Sequence, residues 1–310
     1  MRILFMGTPD FASASLTALL QAHLEVVGVV TKPDNLHGRG GKIIESDVKK
    51  TAKAASLPVF QPETLKNEAF LPVLQELRPD VITVVAYGKI LPRYILDFPR
   101  LGCVNVHGSL LPEYRGAAPI QRTVLDGRSR GGVTTMLMDE GLDTGDLLLT
   151  EAVDVGENMT TGELFDTLAA IGGRLLVETV KALENGAVEP KKQTGEATYA
   201  AKITPEECVV DFAKDSWSVH NTVRGLDPFP SAESTLEGRK IKLYGAVKCD
   251  EDGGNALPGT VLAADKTGVV IKCGRGCVKI TRFKPEGKGV MTAADLVNGR
   301  KIAVGMTFGK

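Results

Sequence analysis

The chain has 310 residues, of which 43% are hydrophobic and 24% charged, and its formal net charge is −1. This length suits two domains, and the composition is that of a globular protein rather than a disordered or fibrous one. No apolar run approaches the roughly 20 residues of a membrane-spanning helix, and the N-terminus shows no signal-peptide pattern. The five cysteines lack the spacing of a zinc site, so we expect reduced thiols and a cytoplasmic location.

The first part of the chain alternates between strands and helices. Strands are predicted at 2–6, 25–31 and 80–86, with a helix at 11–21, and this order predicts a parallel sheet. Of a G-x-G-x-x-G fingerprint only Gly7 is present, so we reject a nucleotide cofactor. Further helices are predicted at 46–55, capped by Ser46, and at 67–77.

Residues 32–45, KPDNLHGRGGKIIE, form a long segment with three glycines and no helical or strand period. A plain surface loop is one interpretation. The other is a cationic arm that carries Lys32, Arg39 and Lys42 and suits a phosphate-rich RNA, because long loops inside compact domains are often functional.

Residues 101–120, LGCVNVHGSLLPEYRGAAPI, begin as a buried strand and continue as a turn-rich loop. Asn105 and His107 are two positions apart, so their side chains leave the strand on the same side. In open α/β sheets ligands bind at the carboxyl ends of the strands. We therefore predict a functional site at this point.

A second polar stretch, residues 136–146, reads MLMDEGLDTGD and leads a predicted strand at 132–138 into an acidic loop. A carboxylate beside an imidazole and an amide supplies the parts of a proton-transfer and oxyanion site. By chemistry alone Asp139, Asp143 or Asp146 would serve.

The predicted fold is a doubly wound, Rossmann-like, mostly parallel α/β sheet followed by a smaller OB-like β-barrel. A long helix, capped by Thr160 or Thr161, ends near residue 184, and a polar linker follows. Short strands are predicted at 240–244, 259–262, 268–272 and 277–283. We predict a catalytic domain at 1–188, a linker at 189–206 and a barrel at 207–310.

Two motifs, NVHGSLLP and GLDTGD, resemble the catalytic motifs of the folate-dependent formyltransferases. Among these enzymes the chain resembles the methionyl-tRNA formyltransferase family in three segments, RILFMGTPDFA, VVAYGKILP and HGSLLPEYRGAAPIQR. The likeness covers nearly the whole chain. The resemblance implies that Asn105, His107 and Asp143 are catalytic, and it is the motif that selects Asp143. It implies transfer of a formyl group from 10-formyltetrahydrofolate to the α-amino group of methionyl initiator tRNA, and a tRNA-binding barrel.

The same resemblance implies the residues of two binding sites. Lys32, Arg39 and Lys42 would contact tRNA, since the run from Gly38 to Gly40 matches a basic loop that enters the acceptor arm. No metal is expected. The expected partners are the tRNA and the small-molecule folate, without a membrane, and the chain is expected to be a monomer. The residues expected to line the folate site are Tyr87, Ile90, Leu91, Ser109, Leu110, Leu111, Pro112, Asp139 and Gly141.

Several alternatives share parts of this pattern. A 10-formyltetrahydrofolate hydrolase or a sugar-nucleotide formyltransferase would use the same three residues but would leave the basic segment unexplained. A catalytically inactive RNA-binding protein would not need the three residues at all. A serine hydrolase has little support, because Ser109 lacks a base and a group to orient it.

Overall fold

The computed structural model describes residues 1–37, 42–249 and 252–309. The chain divides into two compact units. The first comprises Met1–Pro119, Gly131–Val153 and Phe165–Ala200, and the second comprises Ile120–Arg130, Asp154–Leu164 and Ala201–Lys310. The predicted domain boundaries stay a prediction.

Strands and helices are numbered in chain order. The helices are α1 (Asp10–Gln21), α2 (Asp47–Ala54), α3 (Leu71–Leu77), α4 (Arg93–Leu96), α5 (Pro119–Leu125), α6 (Thr161–Glu184), α7 (Ser216–Gly225) and α8 (Ala293–Asn298). In the described part of the chain no helix is both long and apolar enough to span a bilayer. The strands are β1 (Arg2–Gly7), β2 (Glu25–Val30), β3 (Asn35–His37), β4 (Lys42–Ile44), β5 (Val59–Phe60), β6 (Val81–Val85), β7 (Cys103–His107), β8 (Arg115–Gly116), β9 (Arg130–Leu137), β10 (Leu147–Asp154), β11 (Tyr199–Ala200), β12 (Ala232–Leu236), β13 (Arg239–Cys249), β14 (Val261–Asp265), β15 (Gly268–Lys272), β16 (Cys277–Pro285) and β17 (Met291–Thr292).

A seven-stranded sheet forms the first unit, in the order β10-β9-β7-β6-β1-β2-β5. The strands from β7 to β5 along this order pair in parallel, and β9 runs antiparallel to β7. All five residues of β6 are buried, as expected for a β-branched strand covered on both faces. The predicted mostly parallel α/β fold is confirmed.

Local sequence signals explain where several elements begin. A Cβ on Gly7 would lie 2.6 Å from Ala12 Cβ and 2.9 Å from Val85 O, so only glycine fits where β1 turns toward α1. The Ser46 hydroxyl accepts from Lys49 N at 3.1 Å and caps α2 as predicted. Thr160 caps α6, since its hydroxyl accepts from Glu163 N at 3.2 Å while Glu163 Oε2 accepts from Thr160 N at 2.8 Å.

The structure departs from the sequence prediction at two places in this unit. The segment predicted as an irregular loop at 32–45 contains β3 and β4, which pair antiparallel. Arg39 and the rest of 38–41 lie outside the described residues. Helix α3 begins at Leu71 rather than at residue 67, because Asn67 and Glu68 have φ values of 53° and 56°, which a right-handed helix excludes.

The second unit is built on an antiparallel sheet in the order β12-β13-β16-β15-β14, with β17 paired to β16. Residues 307–309 join its two outer strands, because Phe308 N donates to Gly259 O at 2.8 Å and Gly309 N donates to Thr235 O at 3.0 Å. Buried apolar residues, among them Phe283 and Phe308, fill its interior. The predicted separate antiparallel β domain is confirmed.

Candidate active site

Asn105 and His107 lie at the carboxyl end of β7, which pairs in parallel with β6 on one side and antiparallel with β9 on the other. The His107 ring is 6% exposed, and its Nε2 lies 2.9 Å from Tyr114 O. Because a carbonyl oxygen can only accept, Nε2 carries a proton and Nδ1 is the ring atom free for other partners. Asn105 Oδ1 is buried and has no hydrogen-bond partner among the described residues. Such a group is rare in a folded protein and is available to a bound molecule.

Asp143 approaches this pair from the loop between β9 and β10. Its Oδ2 lies 3.7 Å from His107 Nδ1 and accepts a hydrogen bond from Gly116 N at 2.8 Å. The distance to His107 is too long for a direct hydrogen bond, so the contact is electrostatic. Asp143 has a φ of 53°, in the left-handed region that Asp tolerates better than most residues.

The two alternative carboxylates of this loop have other partners. Asp139 Oδ1 accepts from Gly141 N at 3.0 Å and from Thr144 Oγ1 at 2.6 Å, and both Asp139 and Gly141 are exposed. Asp146 Oδ1 lies 3.0 Å from Lys192 Nζ. Of the three, Asp143 is the one that the structure places within ion-pair distance of His107.

Gln193 and Arg115 hold the acidic loop, a role that no sequence motif predicted for either residue. Gln193 Nε2 donates to Asp143 O and to Gly145 O, both at 2.8 Å. Its Oε1 accepts from Arg115 Nε at 3.1 Å and from Nη2 at 2.7 Å. Gln193 belongs to the segment predicted as a linker, and no local pattern in the sequence indicates that it returns to the site.

Gly145 allows the loop to pass close to β9. A Cβ at this position would overlap the carbonyl oxygen of Leu137, so any other residue would displace the chain. Leu137 N also donates to Asp146 O at 2.8 Å across the same crossing. This glycine therefore fixes the end of the loop from which Asp143 reaches His107.

The loop after β7 holds four residues predicted to line the folate site. Ser109 is 1% exposed, and its hydroxyl donates to Glu113 O at 2.6 Å, so it serves the loop's own geometry. Leu110 packs against Gly132, Leu111 is buried, and Pro112 is partly exposed. Their contact with a folate stays a prediction.

Three further predicted folate residues follow β6, and the structure separates them. Tyr87 and Leu91 belong to the buried core of the first unit, at 1% and 4% exposure, whereas Ile90 is 90% exposed. Burial raises the pKa of the Tyr87 hydroxyl to about 12. Ile90 is thus the one of the three that presents a surface.

The predicted tRNA-binding residues are described only in part. Lys32 is partly buried, and its ammonium lies against the backbone of Gly88, just after β6. The backbone of Lys42 opens β4, but its side chain, like Arg39, lies outside what the structure describes. These residues stay predictions.

Comparison with known proteins identifies the chain's relatives. A family model described as formyl transferase matches residues 1–180, and one described as formyl transferase, C-terminal domain, matches residues 202–301. The chain belongs to the formyl transferase family. This membership confirms the resemblance inferred from the sequence motifs.

Curated relatives align with the chain from end to end. It is 42% identical to a methionyl-tRNA formyltransferase of Pelotomaculum thermopropionicum, covering 100% of this chain and 99% of the relative. It is 46% identical to a methionyl-tRNA formyltransferase of Symbiobacterium thermophilum, covering 99% of this chain and 95% of the relative. Among solved structures, HypX from Aquifex aeolicus in complex with tetrahydrofolic acid shares the fold at 18% identity, with a TM-score of 0.68 over 98% of this chain. The chain spans 48% of HypX, about half its length.

Proposed function

We propose that the chain transfers the formyl group of 10-formyltetrahydrofolate to the α-amino group of methionyl initiator tRNA. The full-length relatives that bear this enzyme's name support the reaction class. The observation that carries the proposal is geometric. At Asn105 a buried amide oxygen, which has no partner among the residues that the structure describes, lies two residues from His107, whose Nδ1 is 3.7 Å from the Asp143 carboxylate.

The reaction needs a proton acceptor and a group that stabilises an oxyanion. The amine nitrogen attacks the formyl carbon and forms a C–N bond, and the formyl oxygen becomes negatively charged. The Asn105 amide N–H₂ donates to that oxygen, and His107 lies beside it. A single donor of this kind lowers the barrier by about 3 kcal/mol.

Collapse of the tetrahedral intermediate breaks the bond between the formyl carbon and N10 of the folate. The attacking amine loses one proton, which Asp143 accepts directly or through water, and N10 gains one as it leaves. The buried Oδ1 of Asn105 would accept a hydrogen bond from an N–H of the attacking amine. The products are the formylated amine and tetrahydrofolate, so atoms and charge balance without a redox step.

We assign the binding roles on the same basis. The folate would contact Tyr87, the exposed Ile90 and Leu91, the loop from Ser109 to Pro112, and the turn containing Asp139 and Gly141. The basic arm with Lys32, Arg39 and Lys42 would contact the tRNA, and the β unit would add to this interface. We further propose a cytoplasmic monomer that uses no metal and no nucleotide cofactor.

The test is a comparison of acceptors. The purified protein is incubated with 10-formyltetrahydrofolate and either charged initiator tRNA, an amino sugar nucleotide, or water alone. We expect formyl-methionine on the tRNA at a rate far above release of formate or formylation of the sugar. Equal or faster release of formate would favour a hydrolase, and formylation of the sugar alone would overturn the tRNA assignment.

A further inference from the structure

The short backbone segment from Tyr114 to Gly116 contacts two of the residues proposed to be catalytic. His107 Nε2 donates to Tyr114 O at 2.9 Å, and Gly116 N donates to Asp143 Oδ2 at 2.8 Å. Both contacts come from peptide groups of the segment rather than from its side chains. The placement of the imidazole relative to the carboxylate therefore depends on where this backbone runs.

Tyr114 does not hold this course by local preference. Its φ is 58°, in the left-handed region that costs free energy for a residue with a side chain. A conformation of this kind persists only where the surrounding structure fixes it. The contacts that fix the Tyr114 peptide group are therefore part of what builds the site.

Thr198 supplies such contacts from 84 positions further along the chain. Its hydroxyl accepts from Tyr114 N at 2.8 Å, and its carbonyl oxygen accepts from Arg115 N at 2.9 Å. Its own N–H donates to Pro112 O at 3.3 Å, and β11, which follows at once, pairs in parallel with β8. Among these contacts the hydroxyl bond is the one that the Thr198 side chain makes, so a substitution can remove it and leave the backbone bonds in place.

Two acceptors compete for the single proton of the neutral His107 ring. Tyr114 O lies at hydrogen-bond distance from Nε2, 2.9 Å, whereas Asp143 Oδ2 lies beyond it, 3.7 Å from Nδ1. The partner of one ring nitrogen decides which nitrogen carries the proton. If Tyr114 O moved away, the charge of Asp143 would draw the proton to Nδ1. Asp143 would then bind the imidazole and would no longer be free to accept the proton of the attacking amine.

We propose that Thr198 is a positioning residue, which holds the Tyr114 peptide group so that the His107 proton stays on Nε2. Asp143 is thereby left free as the proton acceptor. The inference rests on the proposed function and adds to it a side chain that acts through other residues and need not touch the substrate. Loss of the Thr198 hydroxyl should lower turnover and spare folate binding, because the backbone bonds of this residue remain.

The experiment compares Thr198→Val with Thr64→Val. Valine keeps the branched shape of threonine and removes the hydroxyl. Thr64 is a matched control, because its hydroxyl also accepts from a backbone N–H, that of Lys66 at 3.1 Å, in an exposed turn. For Thr198→Val we expect kcat for charged tRNA to fall about tenfold with KM values little changed, because misplacing a reacting group is costly. Affinity for a folate analogue should match that of Thr64→Val, and Thr198→Ser, which keeps the hydroxyl, should recover most of the loss.

Nitrogen-15 NMR of the histidine rings gives a readout that does not depend on activity. The chain has four histidines, and the signals of His107 are those that His107→Gln lacks. In the wild type, in Thr64→Val and in Thr198→Ser, the neutral His107 ring should carry its proton on Nε2. In Thr198→Val the signals should shift toward the tautomer with the proton on Nδ1.

Several results would overturn the proposal. One is the same tautomer in Thr198→Val and Thr64→Val, even if activity falls, because Thr198 would then serve stability alone. Others are a parallel loss of folate affinity and a failure of Thr198→Ser to recover activity. Absence of transfer to charged tRNA in the wild type would instead contradict the proposed function, and the ring signals of His107 would still decide the role of Thr198.

Discussion

At the scale of single residues, Asn105 and His107 combine burial with free polar groups. Asn105→Ala and His107→Ala should each abolish formyl transfer, because the first removes the oxyanion donor and the second removes the imidazole beside it. Asn105→Ala should fold intact, since Asn105 Oδ1 has no partner to lose among the described residues, whereas His107→Ala loses the bond from Nε2 to Tyr114 O, so its folding must be measured beside its activity. Circular dichroism and a formylation assay check both variants. Activity within about tenfold of the wild type in either folded variant would contradict the mechanism.

Asp143 and Asp139 provide a matched pair of carboxylates in one loop. Asp143→Asn keeps the shape and can keep an acceptor for Gly116 N, but it removes the charge near His107. We expect most activity to be lost with little change in folate affinity. Asp139→Asn should be mild, since that side chain bonds Gly141 and Thr144. The reverse ranking in kcat would show that the wrong carboxylate was chosen.

His220 in the second unit should make stability depend on pH. It is 2% exposed, and burial, with the nearby Arg224 charge, lowers its pKa from 6.5 to about 4. Below pH 6.5 His220 binds a proton in the unfolded chain, whereas in the folded chain it binds that proton only near pH 4. The free energy of unfolding should therefore fall as the pH drops through this window, by up to about 3 kcal/mol.

His220→Gln tests this contribution, because an amide does not titrate and can still bond Asn158, whose Oδ1 is 3.0 Å from His220 Nε2. Denaturant unfolding of both proteins between pH 7 and pH 4 gives the difference. The wild type should lose more stability than the variant over this range. Parallel curves would mean that His220 has the same pKa in the folded and the unfolded chain.

At the scale of elements, the segment from Lys191 to Ala200 supports the acidic loop. Gln193→Met removes the two bonds from Arg115 and the two bonds to the loop, so Asp143 should lose its fixed position. We expect kcat to fall about tenfold to a hundredfold with KM values little changed, for transfer to tRNA and for hydrolysis alike. Gln75→Met, on the exposed face of α3, is the control. A change confined to the KM for tRNA would contradict this role.

Elements whose signals are local were predictable from the sequence. The strand carrying Asn105 and His107 and the cap of α6 were predicted correctly, because alternation and capping depend on neighbouring residues. Gln193 was missed, since its contacts join residues up to 78 positions apart. Tyr87 and Leu91 were predicted to line the folate site and lie in the core of the first unit, and because a core side chain can also face a ligand, their contact with a folate stays a prediction.

At the scale of the whole molecule, catalysis and RNA binding should be separable. Arg39→Ala should reduce turnover on charged tRNA strongly, because a displacement of ~1 Å at the amine can cost about a hundredfold. Hydrolysis of 10-formyltetrahydrofolate should be nearly unchanged, since water needs no positioning by the arm. In the wild type, transfer should also weaken as salt rises. Undiminished transfer by the variant would leave the arm without a role and favour a hydrolase.

The bridge formed by Gln193 has a consequence for how such a protein can evolve. Arg115 and Gln193 are separated by 78 positions, yet they share one pair of hydrogen bonds that holds the acidic loop. A substitution at either residue is tolerated only if the other still matches it, so the two stretches should diverge in step along a lineage. A gene fusion or domain exchange with its junction between residues 188 and 193 would inherit the three side chains proposed to be catalytic but not the glutamine that holds the loop of Asp143.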